Sequence, residues 1–333
     1  MLLFSGSKLV PISRRGFLWS MTATGATVCG IYALNRYRQT GGSKHDNTKM
    51  QHNGNHTGTT DGTARNPSEG NGNGTGNVAI SPSDKWSRPY YRAGGGDAFV
   101  LYTVFGDFAQ PLSLRGTAHC RFNGLPDGVK LVAYTRADHD KFIEACYGGW
   151  LRKSLKAEQP DLFAAVEHAP MCLILRGTVA DPPTLSYLRD VVGVVTALLD
   201  KGAVAVLDSQ AFAWFAPQQW RERISAPEAP VPTHHVTVLL SQGHDGTHVW
   251  LHTRGMRKFG RPDLSVRGVT PKHQDAYIEL CNRFIEMQAF GEVVPEGQSI
   301  RMRGLPPGMV CHHQGDYDDL DFNNVHIEIQ MPK

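Results

Sequence analysis

Cysteine is scarce in this chain, with six in 333 residues and no C-x-x-C pair. That excludes a small scaffold built on disulfides. The catalytic signatures with fixed spacing are also missing. There is no G-x-S-x-G elbow, no Walker P-loop, no H-E-x-x-H and no kinase set, which disfavours serine hydrolases of the usual type, nucleotide-driven enzymes and zincins. Apolar residues make up 41% and charged residues 20%, which excludes a wholly disordered chain, a collagen, a coiled coil and a polytopic membrane protein. A basic excess is absent where it would count. Residues 93–333 carry 23 Lys/Arg against 27 Asp/Glu, whereas residues 1–92 carry 11 against 4. Nucleic-acid binders rely on neutralising phosphates, so nucleic acid is not an expected partner of this acidic body.

The N-terminal excess has a different meaning. Residues 1–15 hold Lys8, Arg14 and Arg15 and no acid, and the 19 residues 16–34 are uncharged and moderately apolar. Ser13-Arg14-Arg15-Gly16-Phe17-Leu18 resembles the bacterial twin-arginine export signal. The resemblance implies the twin-arginine (Tat) export machinery as a partner and a folded body delivered across the membrane. The competing reading is an ordinary signal-anchor with a chance arginine pair. No clean small-x-small cleavage site follows, and Ala26-Thr27-Val28 before Cys29 is a poor lipobox. Nineteen residues at about 1.5 Å each just span a bilayer, so residues 16–34 are expected to act as an uncleaved membrane anchor. The body is then periplasmic or membrane-anchored outside the cytoplasm.

Residues 39–78 are dense in Gly, Asn, Thr, Ser and His and bury too little to offset their ordering entropy. They are expected to form a flexible linker, which we extend over 39–94 after the signal at 1–38. Strand patterns follow at Ala98–Phe105, Lys130–Tyr134, Met171–Leu175, Ala203–Leu207, His235–Leu240, His248–Thr253, Leu264–Val269, Ile300–Met302 and Val325–Ile329. Helical spacing covers Ala137–Leu155, Pro183–Asp200, Pro217–Ile224 and Gln274–Met287. Single helices among strands predict an α+β fold, a mixed sheet-and-helix sandwich. It divides into lobes 95–225 and 226–333 at the proline-rich stretch 226–232. Cys146, Cys172 and Cys281 fall on apolar faces and read as buried, reduced packing residues.

Two segments concentrate chemistry. In a strand at 248–254, His248, Trp250, His252 and Arg254 share one face. The following turn adds Arg257, Lys258 and Arg261 between glycines, a combination suited to an anion. The candidate anion set is therefore His252, Arg254, Arg257, Lys258 and Arg261. The plainer alternative is a solvated strand face beside a basic loop. The second segment, 311–326, holds three histidines and four aspartates. Asp319-x-Asp321-x-Asn323 starts like a calcium loop, but Asn324 stands where glycine is needed and Gln330 where the bidentate glutamate belongs. A divalent transition metal such as Zn, Mn or Fe held by His248, His252, His312, His313, Asp319, Asp321 and His326 remains open. So does a polar loop of aspartate turns. Trp214, Phe215 and Trp220 read as core.

His252-Thr253-Arg254-Gly255 followed by Phe259-Gly260-Arg261-Pro262-Asp263-Leu264, with Asp321-Phe322-Asn323-Asn324 near the end, resembles an uncharacterised bacterial family, a domain of unknown function. The resemblance implies a compact α+β domain over about residues 95–333 and supplies no activity. Two functions compete. One is a non-catalytic binding domain whose partner is an envelope protein or a small ligand. The other is a metal-dependent hydrolase combining His248 and His252 with the 316–326 loop.

Overall fold

The computed structural model describes residues 2–3, 85–109, 111–242, 247–319 and 321–331. The twin-arginine-like segment, the apolar stretch 16–34, Cys29 and the linker core 39–78 lie outside them. The chain is α+β, two sheets with helices packed on their faces. Strand β1 (Leu2–Leu3) belongs to the second sheet. The first sheet contains β2 (Ala98–Gly106), β3 (Val129–Thr135), β4 (Met171–Val179), β5 (Ala203–Asp208) and β6 (Ala213–Phe215). Its order is β3-β4-β2-β5-β6, and every neighbouring pair is antiparallel.

Alternation along β2 explains why this sheet is covered on both faces. Leu101 and Phe105 pack with Ile143, Leu155 and Val166 from α1 (Arg136–Cys146), α2 (Trp150–Glu158) and α3 (Pro160–His168). Val100, Tyr102 and Val104 face the other way and pack with α4 (Ser186–Asp200), where Leu188, Val191, Val195 and Leu198 are fully buried. The single helix expected at 137–155 is in fact two, because the chain turns at Gly149 with φ of +64°, a conformation that disfavours residues with a Cβ. Pro160 at the first turn then starts a helix that the spacing did not announce. Beyond β6, α5 (Pro217–Trp220) runs into a π-helical turn, Arg221–Ser225.

The second sheet adds β7 (Thr237–Gln242), β8 (Val249–Arg254), β9 (Asp263–Val269), β10 (Ser299–Ile300), β11 (Met309–Gln314) and β12 (His326–Gln330). Its order is β1-β7-β8-β9-β12-β11-β10, with β9 and β12 parallel and the other pairs antiparallel. Helix α6 (Gln274–Ala289) covers one face with Tyr277, Cys281 and Ile285. That face does not enclose a separate core. Leu251, Leu264 and Val266 belong to the same apolar cluster as Tyr102 and α4, so the division drawn at 225/226 separates sheets that share one interior.

Residues 85–94, assigned above to the linker, pack on the body. Trp86 and Arg88 are buried. The Arg88 guanidinium donates to the carbonyls of Ala289 (3.0 Å), Pro182 (2.8 Å) and Phe259 (3.0 Å). Arg261 donates to those of Glu292 (3.0 Å), Gly260 (2.8 Å) and Gly291 (2.9 Å). Ala289 is the last residue of α6, where the final carbonyls lack helical partners at the negative end of the dipole, and Gly291 and Glu292 follow just beyond it. The two arginines donate to the carbonyls of these three and bind residues 85–94 to both sheets.

Candidate functional site on the polar face of the second sheet

The face of β8 turned away from the core carries Trp250, His252 and Arg254, as the strand period requires, while Leu251 enters the apolar cluster. His252 lies opposite Ser265 of β9, and Ser265 opposite Glu328 of β12. Rings fill this face. Trp250 stacks on His252 at 4.0 Å and 19°, and Phe322 stacks on His326 at 4.1 Å and 16°. His252 meets the Phe322 ring at 5.6 Å and 74°. The Arg267 guanidinium covers the Trp250 ring at 4.3 Å, and the indole N–H donates to Ser265 Oγ at 2.9 Å.

Among the described residues, several buried polar atoms on this face have no hydrogen-bond partner: His252 Nδ1, His326 Nδ1 and Ser241 Oγ. Buried polar groups are ordinarily satisfied. Burial, reinforced by the positive charges of Arg254 and Arg267, pushes the His252 imidazole well below its usual range. His326 is lowered by burial despite the nearby Asp319 carboxylate. Both rings are therefore neutral at pH 7.

Arg254 joins this face to the first sheet. Its Nη1 donates to the Asp321 carbonyl and its Nε to the Gln210 carbonyl at 3.5 Å. The guanidinium lies 4.2 Å from the Phe212 ring centroid. Gln210 and Phe212 sit in the turn between β5 and β6. Asp208 Oδ1 shapes that turn by accepting the backbone N–H groups of Gln210 and Ala211, both at 3.1 Å. Phe212 has φ of +54°, a strained conformation for an aromatic residue and one that tends to occur where a fold fixes a functional group. The Gln210 side chain is buried, and among the described residues neither its Nε2 nor its Oε1 has a hydrogen-bond partner. Burial lowers the Arg254 guanidinium to about 10, with Asp263, Asp321 and Asp319 opposing.

The candidate residues divide into groups. Lys258 does not face solvent: its Nζ donates to Asp208 Oδ2 at 2.5 Å and both side chains are buried. Arg261 holds the carbonyls of Gly260, Gly291 and Glu292. Arg257 lies 4.6 Å from each of the Phe99 and Tyr317 rings and donates to the Asn323 carbonyl at 2.9 Å. The basic turn thus faces inward against β2 and the 315–325 loop. At Gly260 the approach is so close that a Cβ would stand 2.2 Å from the Gly96 carbonyl oxygen. His252 and Arg254 are the members of the anion set that stay together on the polar face.

The histidine-rich segments separate as well. His312 Nδ1 pairs with Glu296 Oε1 at 2.6 Å, and His313 Nε2 with the Val294 carbonyl at 2.8 Å. His326 Nδ1 is 3.8 Å from Asp319 Oδ2, and His252 lies across the Phe322 ring from it. His248 precedes β8, with its Nδ1 3.0 Å from Thr247 Oγ1. Asp319 Oδ1 accepts the N–H groups of Asp321 (2.8 Å) and Phe322 (3.1 Å), an aspartate turn. Among the described residues no three His, Cys, Asp or Glu side chains are grouped to hold a metal ion. Sequence reasoning missed Gln210 and Phe212, which come from the other sheet. The one local signal was the acidic turn residue Asp208 ending a strand. No family model, curated protein or solved structure matches the chain.

Proposed function

We propose that the body is a non-catalytic binding domain that takes a small ligand at the junction of the β5–β6 turn with the polar face of β8. The observation that carries this reading is the set of buried polar atoms at Gln210, Ser241, His252 and His326, beside the aromatic stack, that have no hydrogen-bond partner among the described residues. Such atoms cost about 1–3 kcal/mol each when left unpaired, and a ligand offering complementary groups removes that cost. The nucleophile chemistry points the same way. Burial raises all five described thiols, with Cys146 at about 12 and Cys311 at about 11, whereas a reactive thiol needs a lowered value. Export by the twin-arginine route, with residues 16–34 as anchor, would present this domain in the bacterial envelope.

The test is thermal unfolding of the full chain against a panel of neutral, cationic and anionic small molecules. At least one class should raise Tm saturably, as linkage requires for a ligand bound only by the native state. The same compounds should leave His252→Ala unmoved. A panel that shifts neither protein would overturn the proposal.

A further inference from the structure

We infer that the ligand of this site carries an oxyanion, a carboxylate or phosphate group, bound by Arg254, with an O–H or N–H donor beside it for the Gln210 side-chain Oε1. The inference rests on the binding-domain reading and adds the ligand's chemical class.

The buried cations of the molecule make the argument by comparison. Lys258 has the Asp208 carboxylate. Arg88 and Arg261 each have three carbonyl acceptors at 3.0 Å or less. Arg254 is 3% exposed, yet among the described residues its five N–H donors meet the Asp321 carbonyl and, at 3.5 Å, that of Gln210. Among the described residues no carboxylate lies within ion-pairing distance of it. Asp263, Asp321 and Asp319 act on its charge from farther off, but a buried guanidinium whose donors lack acceptors is costly, and its planar fork matches a carboxylate or phosphate in two-point contact. The Phe212 ring centroid lies 4.2 Å from its central carbon.

The neighbouring groups complete the description of the ligand. Among the described residues, Gln210 has an unpartnered Nε2 that can donate and an unpartnered Oε1 that can only accept. A bare anion would satisfy the first and leave the second unmet. A hydroxy acid, an amino acid or a hydrogen phosphate satisfies both. His252, neutral on the same face two residues along the strand, can donate a further N–H to the anion. The arginines around His252 make the local field positive.

The experiment is calorimetric titration of the full chain with inorganic phosphate, with glycolate and with neutral glycolamide. Saturable binding of phosphate or glycolate is expected, whichever source the oxyanion has, with glycolamide at least tenfold weaker. Arg254→Gln should weaken the anion at least tenfold. Arg254→Lys should weaken it less, since charge remains and the fork is lost. Gln210→Leu, which leaves the arginine in place, should weaken it severalfold and serves if Arg254→Gln fails to fold. Anion binding undiminished in both Arg254→Gln and Gln210→Leu would place it elsewhere and overturn the inference. If no anion binds while a neutral compound from the panel does, the oxyanion inference fails and the binding-domain reading stands. If nothing of any charge binds, both fail.

Discussion

At the scale of single residues, what matters is how each buried ionisable group is compensated. His235 gives a case that pH can read. It is buried against Phe259, and burial, then Lys258, His234 and Arg223, hold its imidazole down to about 3 from the ordinary 6.5. The unfolded chain therefore binds one proton more than the folded chain between these values. Stability is lost as pH falls through that window, by about 1.4 kcal/mol per pH unit for this group. His235→Phe should flatten the dependence of unfolding free energy on pH by about that slope between about pH 6 and 4, measured by urea unfolding. An unchanged slope would show that His235 is not held neutral. Residue identity alone made part of the site legible. Strand alternation put Trp250, His252 and Arg254 on one face, and the structure agrees. It could not show that Lys258 and Arg261 turn inward, because their partners, Asp208 and the carbonyls beyond α6, are distant in sequence.

At the scale of elements, legibility followed periodicity. β2, β4, β5 and α4 were legible because their apolar positions repeat at the strand or helix period and are buried accordingly. β11 was missed because Met309-Val310-Cys311-His312-His313-Gln314 ends in three polar residues, so its alternation is hidden. Its register against β12, with His313 opposite Ile327, makes it a strand all the same. The break at Gly149 was missed because the apolar spacing continues through it. Helix α4 supports a sharper expectation. A Cβ on Gly193 would stand 1.9 Å from the Cys120 carbonyl oxygen and 2.9 Å from Phe122 Cβ. In an exposed helix alanine would gain about 1 kcal/mol over glycine. Here the 120–122 backbone must be displaced, and overpacking costs about 1–3 kcal/mol. Gly193→Ala should therefore lower the urea midpoint at unchanged m-value. A raised midpoint would contradict the close seating of residues 120–122 on α4.

At the scale of the whole molecule, the sequence pattern supports an α+β sandwich but not its unity. A proline-rich stretch at 226–232 looks like a boundary because nothing local shows that Leu251 and Tyr102 meet in one cluster. The same non-local joining creates the site. Arg254 belongs to the second sheet, while Gln210 and Phe212 belong to the first. Ligand binding at that junction should draw on both halves of the chain. The most direct test is histidine-selective NMR of the full-length protein titrated with glycolate. The account predicts saturable shifts of the His252 signals, with those of His312 and His313, engaged by Glu296 and the Val294 carbonyl, left in place. Shifts at His312 and His313 with His252 unmoved would contradict it.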